Sequence, residues 1–310
     1  MHFKQKPKGL IAFRPEYLKA VDGISFSIKK GETFGLVGES GSGKSTVGKC
    51  IVRHYNPTGG EIYFEGTEIG HMGEKKLTPF RKKMQSVFQD PYASLDPSQT
   101  VLDILCEPMQ IHNLYSKAER KERASKMLEV VGLKQDDLLK YPHEFSGGQR
   151  QRISIARTLT VNPSFVLCDE PISALDVSLQ AQIVHMLEKL QAELGLTYLF
   201  ISHQLQVMQN ICDNIGVMYL GNLLEVSSSE KLYGNPLHPY TKMLMSSILE
   251  PDPKIHSLDN IIPDIGVQTR VQTGCKFRSR CQYATKRCAE EIPALKEVES
   301  DHFTACHLYE

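Results

Sequence analysis

The 310 residues suffice for one large domain with an appendage, or for two domains. Acidic and basic residues balance at 36 each, which argues against a nucleic-acid-coating surface or an acidic tail. A hydrophobic fraction of 41% with 23% charged residues is ordinary for a globular chain, and the most apolar runs, SFVLC and TYLFIS, are far shorter than the ~18–20 residues of a bilayer span.

The N-terminal MHFKQKPKG has no apolar run behind its lysines, so no secretory signal is expected. A cytoplasmic protein is expected, with any membrane contact made through a partner. The stretch GETFGLVGESGSGKSTVGKCIV reads as strand, glycine-rich turn and helix, with the strand over Thr33 to Val37 and the helix opening near Ser45. From about residue 94 to 159 the β-rich runs vanish. There Ser116 and Glu119 form a capping box, and Ala124, Met127, Leu128 and Val131 make a helical stripe ended by Gly132. This predicts a helical subdomain inserted into an α/β core. SFVLCDEP is a second buried strand ending in two acids. Leu179, Ile183, Met186, Leu187, Leu190 and Leu194 then mark one face of a long helix stopped by Gly195, and TYLFISH is a third strand. Strands alternating with such helices predict βαβ crossovers and a mainly parallel sheet. From about Lys231 prolines become frequent and the pattern ends, so the expected division is 1–230 and a small C-terminal extension, 231–310.

The run Gly38, Glu39, Ser40, Gly41, Ser42, Gly43, Lys44, Ser45, Thr46 fits G-x-x-x-x-G-K-[S/T]. Its glycines let consecutive backbone N–H groups wrap a phosphate, and the helix that follows adds the positive end of its dipole. Lys44 can reach the β- and γ-phosphates, and the Ser45 hydroxyl can ligate Mg²⁺. Asp169 and Glu170 end the second strand, where a P-loop protein places a water-mediated Mg²⁺ ligand and a water-orienting base. His203 closes the third strand at the carboxyl edge of the same sheet, which faces the phosphate crevice. Ser146, Gly147, Gly148 and Gln149 open a basic helix with no acid or base among them, and a helix start of that kind suits an anion.

This set resembles the ATP-binding cassette family of ATPases. Ser146-Gly147-Gly148-Gln149 matches its signature, with Phe145 where leucine is usual; Gln89 in VFQDP, Asp176 in SALD and His203 in ISHQL match its other motifs, with Gln204 where aspartate is usual. The resemblance implies a P-loop NTPase (RecA-like) α/β core with antiparallel β and helical subdomains. It also implies a head-to-tail sandwich in which residues 146–149 serve ATP held by a partner's P-loop, and it counts Asp176 among the nucleotide-binding residues. By the same resemblance Lys44 and the loop backbone hold phosphates, and Ser45, Gln89 and Asp169 organise Mg²⁺. Glu170 is then general base or water orienter, and His203 steadies the γ-phosphate. An aromatic is expected to stack on adenine, either Phe3 or Tyr17, and the usual first strand is missing or shortened.

NPLHPYTKMLMSSIL, residues 235–249, resembles the hallmark of oligopeptide and dipeptide importer ATPases. Eight cysteines divide unevenly: Cys50, Cys106, Cys168 and Cys212 are scattered and read as small buried hydrophobes, while Cys275, Cys281, Cys288 and Cys306 crowd into the last 36 residues. In a reducing compartment that cluster reads as metal rather than disulfide. Its C-x5-C-x6-C-x17-C spacing is wider than zinc-ribbon hooks, and the resemblance implies a [4Fe–4S] cluster, with structural Zn²⁺ as the alternative. VFQDPYASLDP and CDEPISALDVSLQAQ resemble the F-type of the two ATPases that serve such importers. The implied assembly adds a paralogous D-type ATPase, two transmembrane permeases and an extracytoplasmic peptide-binding protein, with this chain peripheral on the cytoplasmic face and no nucleic acid bound. An importer of nickel chelates or another small solute fits the same motifs. A zinc-bearing DNA-repair cassette fits less well, because the formal net charge is zero and the HPYTK segment points elsewhere.

Overall fold

The apolar runs are strands in the computed structural model, which describes residues 1–4, 17–246 and 273–310. In chain order the elements begin with β1 (His2–Lys4), β2 (Tyr17–Lys19), β3 (Thr33–Val37), α1 (Lys44–Ile51), β4 (Tyr63–Phe64), β5 (Thr67–Glu68), α2 (Glu74–Lys83), β6 (Met84–Val87) and α3 (Pro91–Ser94). Next come α4 (Val101–Ile111), α5 (Lys117–Val130), α6 (Gly147–Leu159), β7 (Phe165–Asp169), α7 (Val177–Leu194), β8 (Thr197–Ile201) and α8 (Leu205–Ile211). The chain ends through β9 (Asn214–Tyr219), β10 (Asn222–Ser228), α9 (Ser229–Gly234), α10 (Pro239–Ser246), α11 (Lys286–Glu290), β11 (Lys296–Glu299) and β12 (His302–Thr304). No helix among the described residues is long and apolar enough to cross a membrane.

These elements form two compact units, one of residues 1–27, 33–60 and 201–310, the other of residues 28–32 and 61–200. In the first unit the strands run in the order β11-β12-β10-β9-β3. β3 pairs parallel with β9, Phe34 opposite Asn214 through Val37 opposite Val217, and every residue of β3 is buried, as expected of a strand covered on both faces. β9 returns into β10 through Leu220 and Gly221, both left-handed, the backbone twist that a two-residue hairpin requires. The cysteine-bearing terminus is not a loose appendage. β12 pairs antiparallel with β10, setting Glu225 opposite Thr304 and Ser227 opposite His302, and β11 adds outside it.

In the second unit the strand order is β8-β7-β6, with β6 and β7 parallel. Between β6 and β7 the described chain is helical, as the loss of β-rich runs predicts, and α4, α5 and α6 pack on one another. Ser116 and Glu119 form the expected box at the start of α5: the Glu119 N–H donates to Ser116 Oγ, and the Ser116 N–H to Glu119 Oε2 at 2.7 Å. The stripe Ala124, Met127, Leu128 and Val131 is buried throughout. The α7 stripe is less complete: Ile183, Leu187 and Leu190 are buried, Leu179 and Met186 only partly, and Leu194 is 50% exposed at the last turn, where the left-handed Gly195 ends the helix. Periodicity locates a face but not how far its neighbours extend along it.

Candidate nucleotide site

The phosphate loop lies in the first unit. β3 delivers a turn at Gly38 and α1 departs from Lys44, so the nine residues span one strand-to-helix corner. Gly43 precedes the helix at φ 107°, and a Cβ there would sit 2.3 Å from the Ala20 carbonyl oxygen. No other residue type fits that corner. Lys44 is buried, and its ammonium donates to the carbonyls of Gly38 at 2.7 Å and Glu39 at 3.0 Å and to Ser42 Oγ at 3.3 Å. Ser42 is fully buried and its carbonyl accepts from the Gly221 N–H at 2.8 Å, tying the loop to the β9–β10 turn. Ser40 and Gly41 are exposed at the tip, and Ser45 and Thr46, half-buried, occupy the first turn of α1. His203 belongs to this unit and is exposed two residues beyond β8, where the Ser202 N–H donates to Leu36 O at 3.3 Å beside the strand that feeds the loop. Phe3 and Tyr17 share the β1–β2 ladder: Phe3 packs edge-on against Tyr55 with ring centroids 5.6 Å apart, whereas Tyr17 is 57% exposed. Phe3 does lie in a strand, but one of only three residues.

Gln89, Asp169 and Glu170 lie in the second unit. Asp169 is the buried last residue of β7, and Glu170 follows with φ 51°. A left-handed non-glycine at a strand end is strained, and here it turns the carboxylate toward Gln89, whose Nε2 donates to Glu170 Oε2 at 3.0 Å. Two motifs 81 residues apart in sequence therefore meet through their side chains. Asp176 caps α7, accepting from the Leu179 N–H at 3.0 Å and from Ser178 Oγ at 2.7 Å. These bonds to the ionised form hold its pKa below the usual carboxylate range.

Ser146 is exposed at the N-cap of α6 in a reciprocal box with Gln149: the Gln149 N–H donates to Ser146 Oγ at 3.4 Å, and the Ser146 N–H to Gln149 Oε1 at 3.0 Å. The plain helix cap is thus present, but it leaves the glycines unexplained. Gly148 has a packing reason: a Cβ there would meet Leu179 Cδ1 at 3.0 Å, so its absence lets α6 approach α7. Gly147 has no such neighbour inside 3.8 Å.

Cys275, Cys281, Cys288 and Cys306 are free thiols, and all four line one cavity of about 100 Å³, together with His238 and Phe277. The Cys275 N–H donates to Cys288 O at 2.8 Å, folding the segment back on itself. Burial raises the pKa of Cys275, Cys281 and Cys306, the last to about 11, with the facing thiols adding to the rise. Among the described residues no group of three or more His, Cys, Asp or Glu is arranged to hold a single metal ion.

A second set of residues was invisible to motif reasoning. Glu225 on β10 is fully buried and collects three donors: the N–H groups of Leu237 at 2.7 Å and His238 at 2.8 Å, and His302 Nε2 at 2.7 Å. It thereby binds the LHPY segment and β12 to the unit that carries the phosphate loop. A glutamate within a strand of ordinary hydrophobicity gives no warning of this.

The ABC transporter family profile matches residues 21–173, and the profile of the oligopeptide/dipeptide transporter C-terminal region matches residues 224–288. The chain is 50% identical over 309 residues to the oligopeptide transport ATP-binding protein AppF of Bacillus subtilis, covering 97% of this chain and 93% of that one. The chain belongs to the ABC transporter ATPases. A second such relative, the oligopeptide transport ATP-binding protein OppF of Bacillus subtilis, is 55% identical over 257 residues, covering 81% of this chain and 82% of its own. Among solved structures, the cassette matches the ATP-binding cassette MJ0796 in a dimeric post-hydrolysis state bound to ADP and Pi, with TM-score 0.64 and 30% identity over 74% of this chain and 96% of that one. It is an ATP-binding, ATP-hydrolysing cassette with an α/β fold of mixed parallel and antiparallel strands, and Mg²⁺ is the expected companion of its nucleotide.

Proposed function

We propose that this chain is the ATPase subunit that powers import of oligo- or dipeptides across the cytoplasmic membrane. The observation that carries this reading is the peptide-transporter C-terminal region at 224–288, in a chain half identical to an oligopeptide transport ATP-binding protein over almost its whole length. In this reading residues 1–230 are the nucleotide-binding domain and 231–310 the importer extension; residues 247–249 of the hallmark segment lie outside those described.

In this reading the loop N–H groups and Lys44 bind the β- and γ-phosphates, and Ser45 with Asp169 would hold Mg²⁺. Glu170, kept next to Gln89 by the 3.0 Å hydrogen bond, orients or deprotonates the attacking water, and His203 steadies the γ-phosphate. Ser146, Gly147, Gly148 and Gln149 present the start of α6 to ATP on a second cassette, proposed to be a paralogous D-type subunit, and Asp176 is a further nucleotide-binding residue. Two membrane permeases and an extracytoplasmic peptide-binding protein complete the assembly, placing this chain at the cytoplasmic face. Phe3, half-buried against Tyr55, is a better-supported platform for adenine than the exposed Tyr17.

The four thiols that face one cavity fit a [4Fe–4S] cluster held by Cys275, Cys281, Cys288 and Cys306. Structural Zn²⁺ held by the same four thiols is the alternative. When bound, such a cluster would cross-link the terminal segment and could exchange one electron. Iron and acid-labile sulfide on anaerobically prepared protein test this: stoichiometric zinc without iron would overturn it.

The function itself is tested by Glu170→Gln in the assembled transporter. Nucleotide should stay bound while phosphate release and peptide uptake stop; uptake at the parent rate, with no second copy of the subunit, would refute the proposal.

A further inference from the structure

The phosphate loop contains one acidic side chain, Glu39. A carboxylate beside a polyanionic ligand is a liability, because it repels the phosphates and competes for the loop's own donors. The structure deals with it from a distance of 241 residues: Arg280 places Nη1 on Glu39 Oε2 and Nη2 on Oε1, both at 2.9 Å, a bidentate pair in which the arginine side chain is only 4% exposed. The guanidinium has little freedom to leave. It lies 5.7 Å from the ring centroids of both Tyr219 and Phe277, and Nη2 is 3.7 Å from Met243 Sδ.

A second contact acts on the same residue. The Glu39 main-chain N–H donates to Tyr240 Oη at 2.9 Å, so this amide points at the HPY segment. The carbonyl of Glu39 in turn accepts from Lys44 Nζ at 3.0 Å. Side chain, amide and carbonyl of one loop residue are thus each engaged, two of them by residues of the C-terminal region and one by the loop lysine. Arg280 and Tyr240 both lie outside the matched ATPase region and inside the peptide-transporter one.

We infer that Arg280, assisted by Tyr240, is a positioning residue for nucleotide binding: it neutralises Glu39 and turns it aside, leaving the other loop amides and Lys44 to the phosphates. The inference rests on the nucleotide-binding reading of the loop. Arg280 touches no nucleotide and acts only through Glu39. Because it immediately precedes Cys281, the C-terminal region contributes to the shape of the phosphate loop as well as to the cysteine chamber.

The test is a thermodynamic cycle on the full chain with its transporter partners, reading MgATP hydrolysis and the binding of a fluorescent ribose-labelled ATP. Arg280→Ala should raise KM and Kd about tenfold, equivalent to about 1.4 kcal/mol, with kcat at saturation within about twofold of the parent. In a Glu39→Gln background the same substitution should change affinity by less than about threefold, since no carboxylate is left to neutralise. Arg280→Lys, which keeps the charge but not the fork, should fall between and serves if the alanine variant does not fold. Parent-like affinity in Arg280→Ala, or an undiminished loss in the Glu39→Gln background, overturns the inference. Lys44→Ala separates the two levels: if it abolishes binding while Arg280→Ala does not weaken it, the nucleotide site stands and the positioning role falls. A parent chain that binds no nucleotide overturns both.

Discussion

Replacing Glu225 with alanine should unclip the C-terminal region from the strand it packs on. The carboxylate is fully buried and accepts from two backbone N–H groups and one imidazole, all within 2.7–2.8 Å. Each buried donor left without a partner costs about 1–3 kcal/mol, so three would cost roughly 3–9. Removing a buried carboxylate also removes its desolvation penalty, which offsets several kcal/mol and brings the expected loss to about 3–4. Because the deficit falls on the Leu237 and His238 amides, native-state hydrogen exchange measured by mass spectrometry is the sharper assay. Protection there should drop about 10²- to 10³-fold, from tenfold per 1.4 kcal/mol. Glu225→Gln keeps an acceptor but turns an N–H group toward a donor, and should lose about half as much. Exchange within threefold of the parent in Glu225→Ala would show that the carboxylate is not what holds the HPY segment, and the reasoning would fail.

His238 gives a pH signature in the same place. Burial holds its pKa down at about 4, against 6.5 for the free side chain, with the nearby Glu225 charge opposing the shift. Its Nδ1 accepts from the Tyr240 N–H at 3.0 Å, which places the proton of the neutral ring on Nε2. The unfolded chain therefore takes up a proton that the folded chain refuses. The contribution is complete above about pH 6.5 and is lost as pH falls toward 4, by about 3 kcal/mol at most. His238→Asn should flatten that acid limb in denaturant titrations, and an unchanged slope would count against the buried neutral ring. At the start of α6, Gly148→Ala places a methyl 3.0 Å from Leu179 Cδ1; overpacking of about 1–3 kcal/mol, offset by about 1 kcal/mol of helix propensity, should leave a net loss of about 1 kcal/mol in thermal unfolding. Leu179→Ala should relieve most of that cost; if the two losses simply add, the glycine is not there for helix packing.

Much of this protein is written in short-range patterns. The strand at Thr33–Val37, the capping box at Ser116 and Glu119, the αL stop at Gly195 and the nine-residue phosphate loop follow from local sterics, hydrogen-bond chemistry and periodicity, and each can be read within a dozen residues. The helix start at Ser146 is legible for the same reason, since it declares itself through its cap, whereas its reading as a signature came only from the family resemblance. What remained hidden depends on residues brought together from far apart. The hydrogen bond between Gln89 and Glu170 spans 81 residues, the pair between Glu39 and Arg280 spans 241, and the clip between Glu225 and His302 spans 77. No local pattern encodes such pairings, because a charge or amide in sequence carries no mark of its partner. The partner is assigned only when strands such as β10 and β12 align and exclude the water that would otherwise satisfy both groups.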